Sequence, residues 1–303
     1  HDFGVKTNLY EQAFQHKSQN LNNNGNGTEQ DVRDDIEYVL QHLFDHDNTP
    51  PFISKLLIQR LTSSNPSPTY INDVAQAFID GQYAGIGSGQ RGDLGATLRA
   101  ILLHPEARVE SLSLDQTYGK FREPYIRFIN YCRAFNLTSY NTYGLYNIRS
   151  LAEKLGQSPY NYPSVFNFYV SDYQPLGAII DKNLVSPEMQ ILTDVTSVQL
   201  PNCLWWLIYE GIKRNDTDTG IGYRWYSQGD LDLSDQIALA NDSDALIEQL
   251  DTLITAGRLS EQNRIIIKNH IDSLPSGSTA QKEKRVQDAL YLFCMIPEFN
   301  TLY

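Results

Sequence analysis

Glu106, Glu123 and Glu188 are the carboxylates of this chain whose neighbours could support acid–base chemistry, and each adjoins a proline: Pro105, Pro124 and Pro187. Cations stand within a few residues of two of them, Arg108 after Glu106 and Lys120 with Arg122 before Glu123, while Gln59–Arg60 and Arg91–Gly92–Asp93 add two more basic positions. Two carboxylates with separate environments divide the acid and base roles of a hydrolase. Guanidinium groups grip a carboxylate, sulfate or phosphate through paired hydrogen bonds. Glu106, Glu123 and Glu188 are therefore candidate catalytic residues, and Arg60, Arg91, Arg108, Lys120 and Arg122 are candidate ligand-binding residues. The same types have a structural use. Pro–Glu occurs at 105–106, 187–188 and 297–298, and a proline followed by a carboxylate suits the first turn of a helix, where the dipole is positive. Three uses of one device favour punctuation over catalysis, and ion-paired structural networks are the commoner setting for such arginines.

Metal chemistry has thinner support. Asp216-Thr217-Asp218-Thr219-Gly220 resembles the start of a calcium loop, but Ser227 occupies the twelfth place, where a bidentate glutamate belongs. Asp216 and Asp218 are the metal candidates, and no cofactor beyond a loop calcium is expected. His42 and His46 are spaced as a helical pair, with helix C-terminal capping the leading reading. There is no Gly-rich phosphate loop, Gly-x-Ser-x-Gly elbow or His-Glu-x-x-His pattern.

The elements that must position these residues read as helices. Ile36, Val39, Leu40, Leu43 and Phe44 repeat at the spacing an amphipathic helix buries. Similar stripes run through Phe52–Leu57, Ile71–Phe78, Leu94–Leu102, Phe121–Phe135, Leu246–Ile254 and Val286–Phe293. Strand-like alternation is nearly absent. The expected fold is all-α, an irregular multi-helix orthogonal bundle with long ordered loops and little or no β structure. Proline and glycine set its boundaries. Thr49-Pro50-Pro51 and Ser67-Pro68 mark helix starts, Pro105 stops the Leu94 helix at His104, and Ser186-Pro187-Glu188 should open a long helix. Residues 1–303 read as one helical domain, with a weak sub-boundary near 215 and a C-terminal helical segment over 216–303.

A formal charge of -12 argues against nucleic acid and anionic membranes, which select basic surfaces. No apolar run approaches the length needed to span a bilayer. Cys132, Cys203 and Cys294 fit no zinc or redox spacing; buried thiols are the leading reading and one disulfide the second. Loop tyrosines, Tyr140, Tyr143, Tyr146, Tyr160 and Tyr162 among them, lie near asparagines, a composition suited to sugar or protein surfaces as well as to packing onto the core.

Several stretches together carry a resemblance: His1-Asp2-Phe3-Gly4, Leu57 to Leu61, Thr62 to Pro68, Arg91-Gly92-Asp93-Leu94, Leu103 to Arg108, Gly119 to Pro124, Pro163 to Phe168, Asp172 to Pro175, Pro187 to Gln190 and Pro297-Glu298-Phe299. In order and spacing they resemble the domain of unknown function 1800 family. The resemblance implies a mainly helical, exported protein, the C-terminal part of a longer precursor, with a possible partner of sulfatase-like fold. It supplies no catalytic residues, and His104 stands where an acidic residue is common. The leading functional expectation is an interaction or assembly role at the cell envelope or outside the cell. The alternative is a hydrolase or carbohydrate-processing enzyme using paired carboxylates near the arginines.

Overall fold

The computed structural model describes residues 6–7, 13–14, 28–109, 112, 115, 117–139, 151, 154–212 and 229–302. It is an all-α protein in which the strands are two-residue pairs. The chain divides into two compact units, residues 1–58 with 66–104, and residues 59–65 with 105–303. The sub-boundary expected near 215 lies outside the described residues.

In the first unit, helix α1 (Glu29–Asp45) begins at a reciprocal cap: Thr28 Oγ1 accepts from Asp31 N at 3.3 Å, and Thr28 N donates to Asp31 Oδ2 at 2.6 Å. Helix α2 (Thr49–Leu61) supplies its residues up to Ile58 to this unit. Ser67 caps α3 (Pro68–Asp80), whose proline fills a position with no helical use for an N–H. Gly81, at φ 62°, ends that helix in the left-handed region. A hairpin, Gln82–Tyr83 with Ile86–Gly87, leads to α4 (Leu94–Leu103), capped by Asp93. Tyr70, Val74 and Phe78 of α3 and Ala96, Ala100 and Ile101 of α4 are buried, and Tyr70 Oη donates to the Ile101 carbonyl at 2.7 Å. The stripe on α1 behaves differently from expectation. Ile36, Val39, Leu40 and Leu43 are exposed, and the buried residues of α1 are Asp31 and Asp35. Periodicity marks a face able to pack without supplying anything to pack it against.

The second unit is built on α5 (Pro124–Ala134), α6 (Ala178–Asp181), α7 (Asp194–Tyr209), α8 (Ser234–Leu239), α9 (Ser243–Leu250), α10 (Glu261–Ser273), α11 (Thr279–Met295) and α12 (Pro297–Asn300). Its core joins Phe128 and Tyr131 of α5, with Phe135 just after it, to Leu204 and Leu207 of α7, Leu246 and Leu250 of α9, Ile271 of α10, and Val286, Leu290 and Phe293 of α11. Phe299 closes one end, its ring edge-on to Tyr131 at 5.1 Å. Two expected boundaries move. The Phe121 stripe starts a helix only at Pro124, because proline disfavours helical geometry in the residue before it; Lys120–Phe121 is instead a strand paired with Thr301–Leu302. Pro187 opens a five-residue 3-10 turn, Pro187–Ile191, and the long helix begins afresh at the Thr193 cap. Cys132, Cys203 and Cys294 are free thiols. Burial pushes all three up to about 12.

Candidate functional site

Four of the sequence candidates meet in the second unit, around a tyrosine that sequence reasoning passed over. Gln59 and Arg60 belong to the last turn of α2, where backbone carbonyls have no helical partner. Lys120 satisfies both, donating from Nζ to the Gln59 carbonyl at 3.0 Å and the Arg60 carbonyl at 2.7 Å. The same ammonium stands 2.8 Å from Glu188 Oε1, with the lysine side chain 4% and the glutamate 1% exposed. The approach is off the hydrogen-bonding direction, so both Glu188 oxygens lack a donor. It is an ion pair sealed from water.

Tyr169 lies beside this pair. The Arg60 guanidinium sits 4.0 Å above its ring, and Tyr169 Oη donates to Glu123 Oε1 at 2.6 Å. Gln157 holds the other carboxylate oxygen, Nε2 to Glu123 Oε2 at 2.5 Å, while its own carbonyl accepts from Tyr125 N in the first turn of α5. Burial first, and then the charges of Glu123 and Glu188, push the Tyr169 phenol far above its ordinary range. It therefore remains a hydrogen-bond donor at every physiological pH. The arrangement fixes Glu123 as an acceptor and leaves Glu188 unreachable by a substrate. Two cations balance two anions.

Arg122 is close in sequence but turns elsewhere. Its buried guanidinium lies 5.1 Å over Phe299, and burial, aided by Arg258, lowers it to about 10. Arg127, not anticipated, packs 4.3 Å over Phe121, donates from Nε to the Arg122 carbonyl at 2.7 Å and bonds Asn300 Oδ1. Burial and then Arg122 lower Arg127 to about 9. These arginines clamp the turn that delivers the Thr301–Leu302 strand.

The other candidates stand apart. Glu106 lies in the 3-10 turn Pro105–Ala107, where its backbone carbonyl accepts from Tyr118 Oη at 2.5 Å, and Arg108 is exposed. Arg91 belongs to the first unit, its guanidinium bonded to the carbonyls of Phe44 and His46 where α1 ends. Asp216 and Asp218 fall outside the described residues; among the described residues, no three His, Cys, Asp or Glu side chains gather as metal ligands. Tyr169 and Gln157 were missed because a neutral residue in a loop carries no charge pattern. The one available signal was Tyr169 directly following the Pro163–Phe168 motif.

Two openings border the network. A cavity of about 160 Å³ is lined by Ser64, Lys120, Leu184 and Met189. A cleft of about 210 Å³ is lined by Glu123, Gln157 and several rings, including Tyr160 and Tyr162.

An all-helical fold around a neutralised, largely buried polar knot defines the protein's class by architecture. The chain belongs to the family described as a protein of unknown function, DUF1800, whose match covers residues 1–301. No curated protein and no solved structure matches it.

Proposed function

We propose that this is an exported binding or assembly protein that docks a protein partner through the loop over Pro163–Ile180. One observation carries the reading. Phe166 N bonds Ser164 Oγ at 3.1 Å, Asn167 N bonds the Ser164 carbonyl at 3.0 Å, and Asn167 takes φ 69°. This built turn lifts Val165 and Phe166 to 96% and 66% exposure, with Leu176 and Ile180 also exposed. Large apolar groups held outward by a hydrogen-bonded turn are the usual mark of a contact surface. The partner suggested by the family resemblance is a protein of sulfatase-like fold. The hydrolase alternative needs two carboxylates reachable from one opening. Glu123 lines the cleft, but Glu188 is closed off behind Lys120.

The test is cross-linking and co-purification with the co-expressed sulfatase-like partner, comparing the parent chain with a Val165→Asp/Phe166→Asp variant of equal thermal stability. Loss of the complex in the variant is the expected result. Retained capture overturns the docking surface. A hydrolytic activity abolished by Glu123→Gln at unchanged stability would establish the enzyme instead.

A further inference from the structure

We propose that the cleft in front of Glu123 binds a neutral saccharide, seating one sugar ring of a glycan. Its volume, about 210 Å³, is below the roughly 300 Å³ at which pockets for drug-sized ligands begin, so it takes a compact group. Aromatic rings make two of its walls, Tyr162 standing edge-on to Phe168 at 6.0 Å and 82°. Such faces suit the C–H surface of a pyranose. The cleft presents two acceptors, of which one lacks a donor. Glu123 presents a carboxylate fixed by Gln157 and Tyr169, and Asn167 Oδ1 is buried with no donor on it. A buried orphan acceptor in a native fold calls for a partner, and a hydroxyl-rich ligand supplies one.

Charge selects the neutral class. Among the described residues no cation lines the cleft, so phosphates and uronic acids find no partner there. A cation is also disfavoured: Arg60 and Lys120 offset Glu123 and Glu188 within the network, and Glu123 stands at the start of α5, the positive end of its dipole. Tyr160, 93% exposed, and Tyr162, 53% exposed, leave the opening accessible to a longer chain. The cleft shares Asn167 and Phe168 with the turn that presents Val165 and Phe166, so the Tyr160 and Tyr162 variants, which lie ahead of that turn, separate this inference from the docking surface.

Saturation-transfer NMR on the full chain tests it, with maltohexaose, cellohexaose, chitohexaose and laminarihexaose as probes, and N-acetyl-lysine amide and inorganic phosphate as charged comparisons. At least one hexasaccharide is expected to bind. Tyr162→Ala should weaken it about tenfold, the loss of one stacking face. Asn167→Gly, which tolerates the left-handed backbone, should weaken it about fivefold through the lost acceptor. Tyr160→Gly, at an exposed residue with φ 61°, gives a third variant that cannot fail through loss of core packing. Silence from all four oligosaccharides, unchanged binding in the folded variants, or preference for the lysine amide overturns the proposal.

Discussion

Glu188 and Lys120 carry opposite charges into a place that water does not reach, so each is tolerable only because of the other. Glu188→Gln should destabilise the protein by about 3–5 kcal/mol, the usual cost of stranding one partner of a buried pair. Urea unfolding checks this. The double variant Glu188→Leu/Lys120→Met should lie nearer the parent than Glu188→Gln does, since it removes the stranded charge along with the pair. A milder effect belongs to Asp93. The N–H groups of Ala96 and Ser88 hold its carboxyl down to about 2, against an ordinary 3.8. A lowered folded-state value means its stabilisation is complete above pH 3.8 and is lost as the pH falls through 2. Asp93→Asn should flatten that part of the curve of melting temperature against pH. The sequence reading singled out Arg60, Lys120, Glu123 and Glu188, and the fold brings these four together. It could not pair them, because Lys120 reaches Glu188 across a fold that spacing along the chain does not encode, and the neutral members Tyr169 and Gln157 carry no charge signal.

Helix boundaries were the most legible elements, for reasons that are local. Ser67 caps α3 ahead of Pro68 and α4 stops before Pro105, both as expected, while Thr28 and Asp93 cap by the same chemistry without having been singled out as caps. Failures occurred where tertiary pairing overrode the pattern. Phe121 continues a helical stripe, yet it pairs in a strand with Thr301. The π-helical turn Asp251–Thr255, which lets buried Asp251 accept from Leu259 N at 3.0 Å and Arg264 Nη2 at 2.9 Å, left no trace in the periodicity. Gly81 offers a sharp test of an element end. A Cβ there would come within 2.1 Å of the Gln90 carbonyl oxygen, a backbone atom that cannot step aside. With the left-handed conformation adding its own penalty, Gly81→Ala should cost about 2 kcal/mol or more, read as a lower melting temperature.

On the scale of the whole chain, surface and interior divide the chemistry. Three thiols pushed up to about 12 by burial are poor nucleophiles. Alkylation by iodoacetamide near pH 8 should leave Cys203 and Cys294 unmodified until denaturant is added, and a reducing agent should not change the melting temperature. Rapid labelling of either in the native protein would contradict their placement in the core. The outward residues behave oppositely: Val165 and Phe166 contribute little packing, so replacing them with aspartate should change stability by no more than about 0.5 kcal/mol. Their exposure was not legible, since a Pro-Ser-Val-Phe-Asn-Phe run reads as readily as buried loop packing.

The pairing of Lys120–Phe121 with Thr301–Leu302 bears on how the chain matures. During synthesis the earlier strand waits, unpartnered, until the chain as far as Thr301 has emerged, and Phe299, which closes the core beside Tyr131, arrives equally late. Closing so long a loop is entropically expensive and slow. Pairing of this strand therefore comes late in the folding of the second unit. Pulse proteolysis of a chain truncated before Thr301 should find the second unit more protease-sensitive than the parent, with resistance restored when the Thr301–Leu302 strand is present.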